Sequence, residues 1–180
     1  SFVHNLARYV REDGAETLVV RNDTMSVEEC LGLHPSGVII SPGPKRPRNA
    51  GISMSLLEAL PATTPLLGVC LGHQCLVESL GGKTVRARYP VHGEARAIHH
   101  EGDRLFRDIP SPSLVGRYHS LVSVLAEDAP LSATAWSDER ELMAVAHKER
   151  PWFGVQFHPE SLLTPDGRTL IRNFLILCED

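Results

Sequence analysis

The sequence feature that most constrains the fold is a cysteine flanked by glycines at the end of a short apolar run. The run ends in Gly68-Val69-Cys70-Leu71-Gly72, and a helical pattern then extends over residues 73–80. Gly-x-Cys-x-Gly is the spacing of a nucleophile elbow, a sharp strand-to-helix turn whose glycines leave room around a strained nucleophile. Cys70 would lie at the N-terminus of that helix, whose positive end favours the reactive thiolate. Taken alone, the stretch fits a buried, unreactive cysteine equally well.

Strands and helices alternate in the first half of the chain. The apolar patterns predict helices over residues 1–11, 26–33, 51–60 and 73–80, and continuously apolar strands over residues 17–20, 37–40 and 66–69. Ser26 and Glu29 form a capping box at the second helix. Apolar strands that alternate with helices are typical of a parallel sheet covered by helices on both faces.

The second half of the chain is rich in strands. Strand patterns occur over residues 84–87, 95–99, 121–124, 131–136, 142–147 and 152–156, and a final helix is predicted over residues 168–178. No internal repeat, low-complexity tract or linker is present. The prediction is one α/β domain over residues 1–180, with a mostly parallel central sheet and a smaller antiparallel part.

Charge, composition and cysteine content argue against several classes of function. The net charge is -4 and no long basic run is present, so nucleic-acid binding is not indicated. No apolar stretch approaches the roughly 18 residues that span a bilayer, and no signal peptide pattern is seen. The four cysteines have neither the density of a disulfide framework nor Cys-x-x-Cys metal spacing, which favours a reducing cytoplasm. His99 and His100 would point to opposite faces of a strand, so a shared metal is not expected.

A base for the cysteine is offered by the segment after the last predicted strand. That strand runs out at Phe157-His158-Pro159-Glu160, and reactive groups of a parallel sheet gather at the carboxyl ends of its strands. His158 and Cys70 both lie at such ends. Glu160 can reach back to the imidazole and hold the tautomer that faces the thiol. A catalytic arrangement of Cys70, His158 and Glu160 is therefore predicted, with His158 as the base and Glu160 orienting it.

Acyl transfer from a cysteine also needs donors for a tetrahedral oxyanion. The N–H of Leu71, next to the nucleophile, is one candidate by elbow geometry, and the loop over residues 41–45 is the expected source of the second. The polar stretch over residues 117–121 suggests that its backbone binds a polar substrate. A serine hydrolase built on Ser120 is disfavoured because no Gly-x-Ser-x-Gly frames this residue.

Four motifs, in order along the chain, give the sequence a family resemblance. They are Ser41-Pro42-Gly43-Pro44, Gly68-Val69-Cys70-Leu71-Gly72-His73-Gln74, Tyr118-His119-Ser120-Leu121 and Gly154-Val155-Gln156-Phe157-His158-Pro159-Glu160-Ser161. With them the chain resembles a class I (triad) glutamine amidotransferase domain over essentially its full length. Within that class it is most similar to the glutaminase component of anthranilate synthase and of aminodeoxychorismate synthase. This narrower resemblance rests on Val91-His92-Gly93, His99-His100 before Leu105-Phe106, and Leu163-Thr164.

The resemblance implies a flavodoxin-like fold, a reaction and a partner. Cys70 would attack the side-chain amide of glutamine, releasing ammonia and leaving a γ-glutamyl thioester, while His158 transfers protons and Glu160 orients it. Glutamine would be held by Gln74, Gly43 and the backbone around His119, Ser120 and Leu121. The ammonia would pass to a chorismate-using synthase, either a separate chain or a fused domain, in tryptophan or folate biosynthesis. No metal or organic cofactor is implied in this domain, and Mg²⁺ only on the synthase partner.

The sequence departs from the family pattern at two places. Lys45 stands after Pro-Gly-Pro where the family usually has glycine, and its N–H is the expected second oxyanion donor, formed once a partner remodels the loop. The family's first strand and the turn after it are missing before Ser1 and Phe2. The sheet is therefore expected to lack a strand, and the domain to derive from a longer or fused polypeptide.

Three other functions stay open at this point. The same glutaminase chemistry could feed an isochorismate-derived or phenazine-type synthase. A non-catalytic domain could bind and regulate a partner, although the intact Cys70, His158 and Glu160 argue against it. A cysteine hydrolase on the same elbow is disfavoured by Gln74 and by the stretch over residues 118–121.

Overall fold

Seven strands form one mixed sheet in the computed structural model, which describes residues 2–21, 23–41 and 51–179. In chain order they are β1 (Val38–Ile40), β2 (Leu66–Val69), β3 (Lys83–His100), β4 (Ser113–Val124), β5 (Leu131–Ser137), β6 (Leu142–His147) and β7 (Trp152–Val155). Their order across the sheet is β1-β2-β7-β6-β5-β3-β4. β1, β2 and β7 run parallel to one another, and the other neighbouring pairs are antiparallel.

Helices cover both faces of this sheet. Within the described residues they are α1 (Phe2–Glu12), α2 (Val27–Gly32), α3 (Ser53–Ala59), α4 (Leu71–Ser79), α5 (Gly167–Cys178) and a 3₁₀ helix (Arg104–Phe106). Leu67 and Val69 of β2 belong to an apolar cluster with residues of α1 and α5, whereas Leu66 belongs to a second cluster with residues of α3 and α4. Since neighbouring residues of a strand point to opposite faces, the two helix pairs lie on opposite sides. None of the described helices is long and apolar enough to cross a membrane.

The structure confirms the predicted α/β fold class and changes two of its details. The antiparallel part is larger than predicted, because the strands predicted at 84–87 and 95–99 are one strand, β3, which pairs with β4. The strand predicted over residues 17–20 was wrong, since this segment forms no strand and the side chain of Leu18 is 67% exposed. An extended apolar segment becomes a strand only when another strand pairs with it, and none of the described strands does so here.

The parallel neighbours β2 and β7 place the functional residues. Val69 pairs with Val155 at the ends of these strands, so the next residues, Cys70 and Gln156, leave the sheet side by side. The N–H of Cys70 donates to the carbonyl oxygen of Val155 at 2.8 Å. The residues that follow β7 are thereby brought to the elbow that follows β2.

Candidate active site

The turn between β2 and α4 has the geometry of a nucleophile elbow. Cys70 has φ 53° and ψ -102°, a strained combination for a residue with a side chain. A Cβ on Gly68 would lie 2.5 Å from the carbonyl oxygen of Gly72, and a Cβ on Gly72 would lie 2.2 Å from the carbonyl oxygen of Ile40. Both contacts are with backbone atoms of neighbouring elements. The close packing of β1, β2 and α4 therefore requires the two glycines and holds Cys70 in its strained conformation.

Cys70 is the N-cap residue of α4, and its side chain is largely buried. Leu71 is the first residue of the helix, so its N–H has no carbonyl one turn earlier to bond with. The positive N-terminal end of a helix stabilises negative charge. Helix α4 therefore favours an oxyanion beside the N–H of Leu71, next to the nucleophile candidate. Gly43, which was predicted to hold glutamine, and Lys45, which was predicted to supply the second oxyanion donor, lie outside the described residues.

His158 and Glu160 follow β7 and are hydrogen-bonded to each other. Nδ1 of His158 donates to Oε1 of Glu160 at 2.5 Å, and both side chains are buried. Burial by itself lowers the pKa of His158, but hydrogen bonds to Cys70 and Glu160, and the attraction of their negative charges, raise it to about 9. His158 is therefore an imidazolium at neutral pH, between the sulfur of Cys70 and the carboxylate of Glu160. The structure thus brings together the three residues that were predicted to act jointly.

The turn that carries His158 is fixed to β4 by hydrogen bonds. The N–H of His158 donates to the carbonyl oxygen of Gly116 at 3.0 Å. The N–H of Gly116 donates to Oγ1 of Thr164 at 2.9 Å, and the Thr164 hydroxyl donates to the carbonyl oxygen of His158 at 2.6 Å. Thr164 therefore bonds one buried backbone group of β4 and one of the turn, and so holds the backbone of His158 in place.

Two aromatic rings pack against the imidazole of His158. The ring centroid of Phe2 lies 4.4 Å from that of His158, and the centroid of Tyr118 lies 5.0 Å from it. The hydroxyl of Tyr118 is hydrogen-bonded to Oγ of Ser161 at 2.9 Å, which fixes the second ring. Phe2 was not among the predicted site residues, because its place on the apolar stripe of α1 is that of a core residue.

Gln74, a predicted glutamine-binding residue, lies on α4 beside a second buried glutamine. Nε2 of Gln74 donates to Oε1 of Gln156 at 3.3 Å. Nε2 of Gln156 donates in turn to Sγ of Cys70 at 3.6 Å. The structure therefore connects Gln74 to the nucleophile through Gln156, a residue that sequence reasoning did not single out. The one feature of the sequence that could have singled out Gln156 is its position as a polar residue at the end of an apolar strand.

The predicted stretch His119, Ser120 and Leu121 lies on β4, the strand that is bonded to the His158 turn. Nε2 of His119 accepts a hydrogen bond from Nε of Arg117 at 3.0 Å, and its Nδ1 donates to the carbonyl oxygen of Leu121 at 3.0 Å. Burial, followed by the charge of Arg117, lowers the pKa of His119 to about 4, so this ring is neutral at pH 7. Ser120 is exposed and takes no part in this network.

The remaining histidines do not combine into a metal site. Nε2 of His99 lies 2.7 Å from Oδ1 of Asp138, whereas Nε2 of His100 donates to the carbonyl oxygen of Pro110 at 2.9 Å. These two neighbouring residues of a strand thus have separate partners. Among residues 2–21, 23–41 and 51–179, no three His, Cys, Asp or Glu side chains come together in a way that could hold a metal ion.

Known proteins are similar to this chain in both sequence and fold. The family model described as glutamine amidotransferase class-I matches residues 1–178. Aminodeoxychorismate synthase component 2 of Escherichia coli is 45% identical over 177 residues, which cover 97% of this chain and 94% of that protein. Anthranilate synthase component 2 of Pseudomonas aeruginosa is 46% identical over 182 residues, which cover 97% of this chain and 90% of that protein.

A solved structure extends the likeness to the whole fold. The crystal structure of a putative GMP synthase component from Thermoplasma acidophilum matches with a TM-score of 0.88 at 28% identity, covering 99% of this chain and 89% of that one. The family model and the two relatives cover nearly the whole sequence, including the elbow and the His158 turn. The chain belongs to the class I glutamine amidotransferase family.

Proposed function

We propose that this protein is a glutaminase that hydrolyses glutamine to glutamate and supplies the ammonia to a chorismate-aminating synthase. The observation that carries the proposal is the strained Cys70 at a helix N-terminus beside His158, whose charge is stabilised by Glu160. A thiolate, an imidazolium and an orienting carboxylate are the groups that acyl transfer from an amide requires. The names of the two relatives support anthranilate or 4-amino-4-deoxychorismate as the synthase product.

In the first step, the thiolate of Cys70 attacks the side-chain carbonyl carbon of glutamine. A C–S bond forms, and the electrons of the C=O π bond move to the oxygen, which accepts hydrogen bonds from the N–H of Leu71 and, by this proposal, of Lys45. The imidazolium of His158 then gives its Nε2 proton to the amide nitrogen. The C–N bond breaks and ammonia leaves, so that a γ-glutamyl thioester and a neutral His158 remain.

In the second step, water hydrolyses the thioester. Nε2 of His158 takes a proton from the water as its oxygen attacks the thioester carbonyl. The C–S bond breaks, glutamate leaves, and Cys70 and His158 return to the thiolate and the imidazolium. Glu160 accepts from Nδ1 throughout, which keeps Nε2 directed at the reaction. Both steps use groups of this chain alone, and Mg²⁺ is proposed only on the synthase.

Substrate binding is proposed to involve Gln74, the backbone of residues 119–121, and Gly43. The burial of Gln74 one turn beyond Cys70 supports its role, as does the bonding between β4 and the His158 turn. The proposed location is the cytoplasm. It is supported by the state of the cysteines, since Cys30, Cys70, Cys75 and Cys178 are all free thiols.

The proposal is tested by Cys70→Ala in a complex with a chorismate-using synthase. The variant is expected to abolish synthesis from glutamine and to retain synthesis from an added ammonium salt, since only the ammonia source is removed. Cys30→Ala, which changes a thiol on helix α2, outside the Cys70, His158 and Glu160 arrangement, is expected to retain both. Loss of both activities in Cys70→Ala would mean that Cys70 is structural. Wild-type chain that supports only the ammonium reaction would indicate a binding domain without glutaminase activity.

A further inference from the structure

A buried glutamine beside the nucleophile is not used by the mechanism above. Gln156 follows β7 directly and is fully buried, as are its neighbours Val155 and Phe157. Burying an amide costs free energy unless hydrogen bonds satisfy it. The two hydrogen bonds of this side chain lead to Gln74 and to Cys70.

The chemistry of these two partners fixes the direction of the Gln156 amide. A thiolate can only accept a hydrogen bond, so the NH₂ end of Gln156 must face Cys70 and its carbonyl end must face Gln74. Gln74 then has to present its own NH₂ end to Gln156, as the contact at 3.3 Å shows. The carbonyl oxygen of Gln74 is the end that remains for a ligand. One thiolate therefore sets the orientation of two amides.

We propose that Gln156 is a positioning residue of the glutaminase reaction, which stabilises the Cys70 thiolate through its NH₂ group and orients Gln74 through its carbonyl oxygen. Oriented in this way, Gln74 presents an acceptor and selects an N–H donor on the bound amino acid. This inference rests on the proposed function, in which Gln74 holds the glutamine. The geometry follows from strand pairing, because the register of Val69 with Val155 places Cys70 and Gln156 at the same level of neighbouring strands.

Three variants of the full chain separate the two contacts of Gln156. Gln156→Met keeps the length of the side chain and removes both hydrogen bonds. Gln156→Glu keeps an acceptor for Gln74, removes the donor to Cys70 and adds a carboxylate beside the sulfur. Gln74→Met is the matched control, since it removes the substrate contact and leaves the bond between Gln156 and Cys70. The neighbouring titratable groups His73, His119, His158 and Glu160 are unchanged in Gln156→Met and Gln74→Met, whereas Gln156→Glu adds one carboxyl group.

The first readout is the pH dependence of Cys70 alkylation by iodoacetamide, mapped by mass spectrometry. This rate follows the thiolate and does not require turnover. Gln156→Met is expected to move the midpoint of the profile upward by about one pH unit, because a hydrogen bond to a charged group changes its proton equilibrium roughly tenfold. Gln156→Glu is expected to move it at least as far, because its carboxylate also repels the thiolate. Gln74→Met is expected to leave the midpoint in place.

The second readout is steady-state glutaminase kinetics in the complex with the synthase. Gln156→Glu is expected to lower kcat mainly, since the acceptor for Gln74 is kept while the thiolate loses its donor and faces a second negative charge. Gln156→Met is expected to lower kcat and also to raise KM for glutamine about tenfold, because Gln74 loses its anchor. Gln74→Met is expected to raise KM with the alkylation profile unchanged.

Several results would overturn the inference. An unmoved midpoint in both Gln156 variants, or an equal movement in Gln74→Met, would refute the contact with the thiolate. An unchanged KM in Gln156→Met would refute the orientation of Gln74. If Gln156→Met fails to fold by circular dichroism, Gln156→Leu, which is also uncharged and lacks the donor, takes its place in the alkylation test. Wild-type chain without glutaminase activity would refute the proposed function and leave the alkylation test valid, so the two failures are distinguishable.

Discussion

Replacing Gly72 by alanine tests whether the close contact between α4 and β1 holds the elbow. The added methyl carbon would lie 2.2 Å from the carbonyl oxygen and 2.9 Å from the carbonyl carbon of Ile40. Ile40 is paired with Gly68 in the sheet, so its peptide group cannot rotate away without disturbing that pairing. The clash is therefore expected to move α4 relative to the sheet and to displace Cys70.

Two opposing effects set the size of the change. Overpacking a tight interior typically costs about 1–3 kcal/mol, and a contact this short with backbone atoms belongs at the upper end of that range. Exchanging glycine for alanine inside a helix gains about 1 kcal/mol. The net expectation is that Gly72→Ala lowers the free energy of unfolding by about 2 kcal/mol.

Urea unfolding followed by the fluorescence of the buried Trp152 measures this difference. Gly32→Ala is the matched control, because Gly32 is also helical and nothing lies within 4 Å of its added Cβ. The control is expected to be as stable as the wild type or slightly more stable. If Gly72→Ala behaves like the control, the contact with Ile40 does not constrain the elbow and the reasoning is wrong.

Two further predictions concern the His158 turn. Because the pKa of His158 is raised to about 9, the proposed acid keeps its proton at neutral pH, and kcat for glutamine hydrolysis is expected to fall as the pH rises through about 9. Glu160→Gln removes one of the charges that raise this pKa, so its pH–rate profile should fall at lower pH; a fall at the same pH would contradict the role of Glu160. Thr164→Val leaves the Gly116 N–H unpaired and removes one of the two hydrogen bonds to the His158 carbonyl oxygen, which the Ser161 N–H still bonds. It is expected to lower the free energy of unfolding in urea by about 1–3 kcal/mol, together with kcat. Thr164→Ser keeps both bonds, and equal stability of the two variants would show that these bonds are unimportant.

Strand ends made part of the site predictable from the sequence. An apolar run that stops at Gly68-Val69-Cys70 and another that stops before His158 are local patterns, and parallel strands bring their carboxyl ends to the same edge. Glu160 could be predicted from its spacing alone, two residues after His158. His158 and Glu160 are hydrogen-bonded within one short segment, and the parallel pairing of β2 with β7 brings that segment to the elbow.

Pairing between elements could not be predicted in the same way. The apolar segment 17–20 has the composition of a buried strand, but strand formation depends on a neighbour that composition does not reveal. Arg117 is fully buried against His119 and Glu141, although an arginine in a polar stretch predicts an exposed side chain. Gln156 likewise gains its role only from the register of β2 with β7.

Labelling with a glutamine analogue that carries an electrophilic carbon tests whether Cys70 is the nucleophile of a glutamine site. The full chain, alone and with its synthase, is incubated with the analogue, and the adduct is mapped by mass spectrometry. We expect one adduct, on Cys70, which excess glutamine prevents and which Glu160→Gln forms more slowly. Labelling of another residue, or labelling of Cys70 that glutamine does not slow, would contradict a glutamine site built around the elbow.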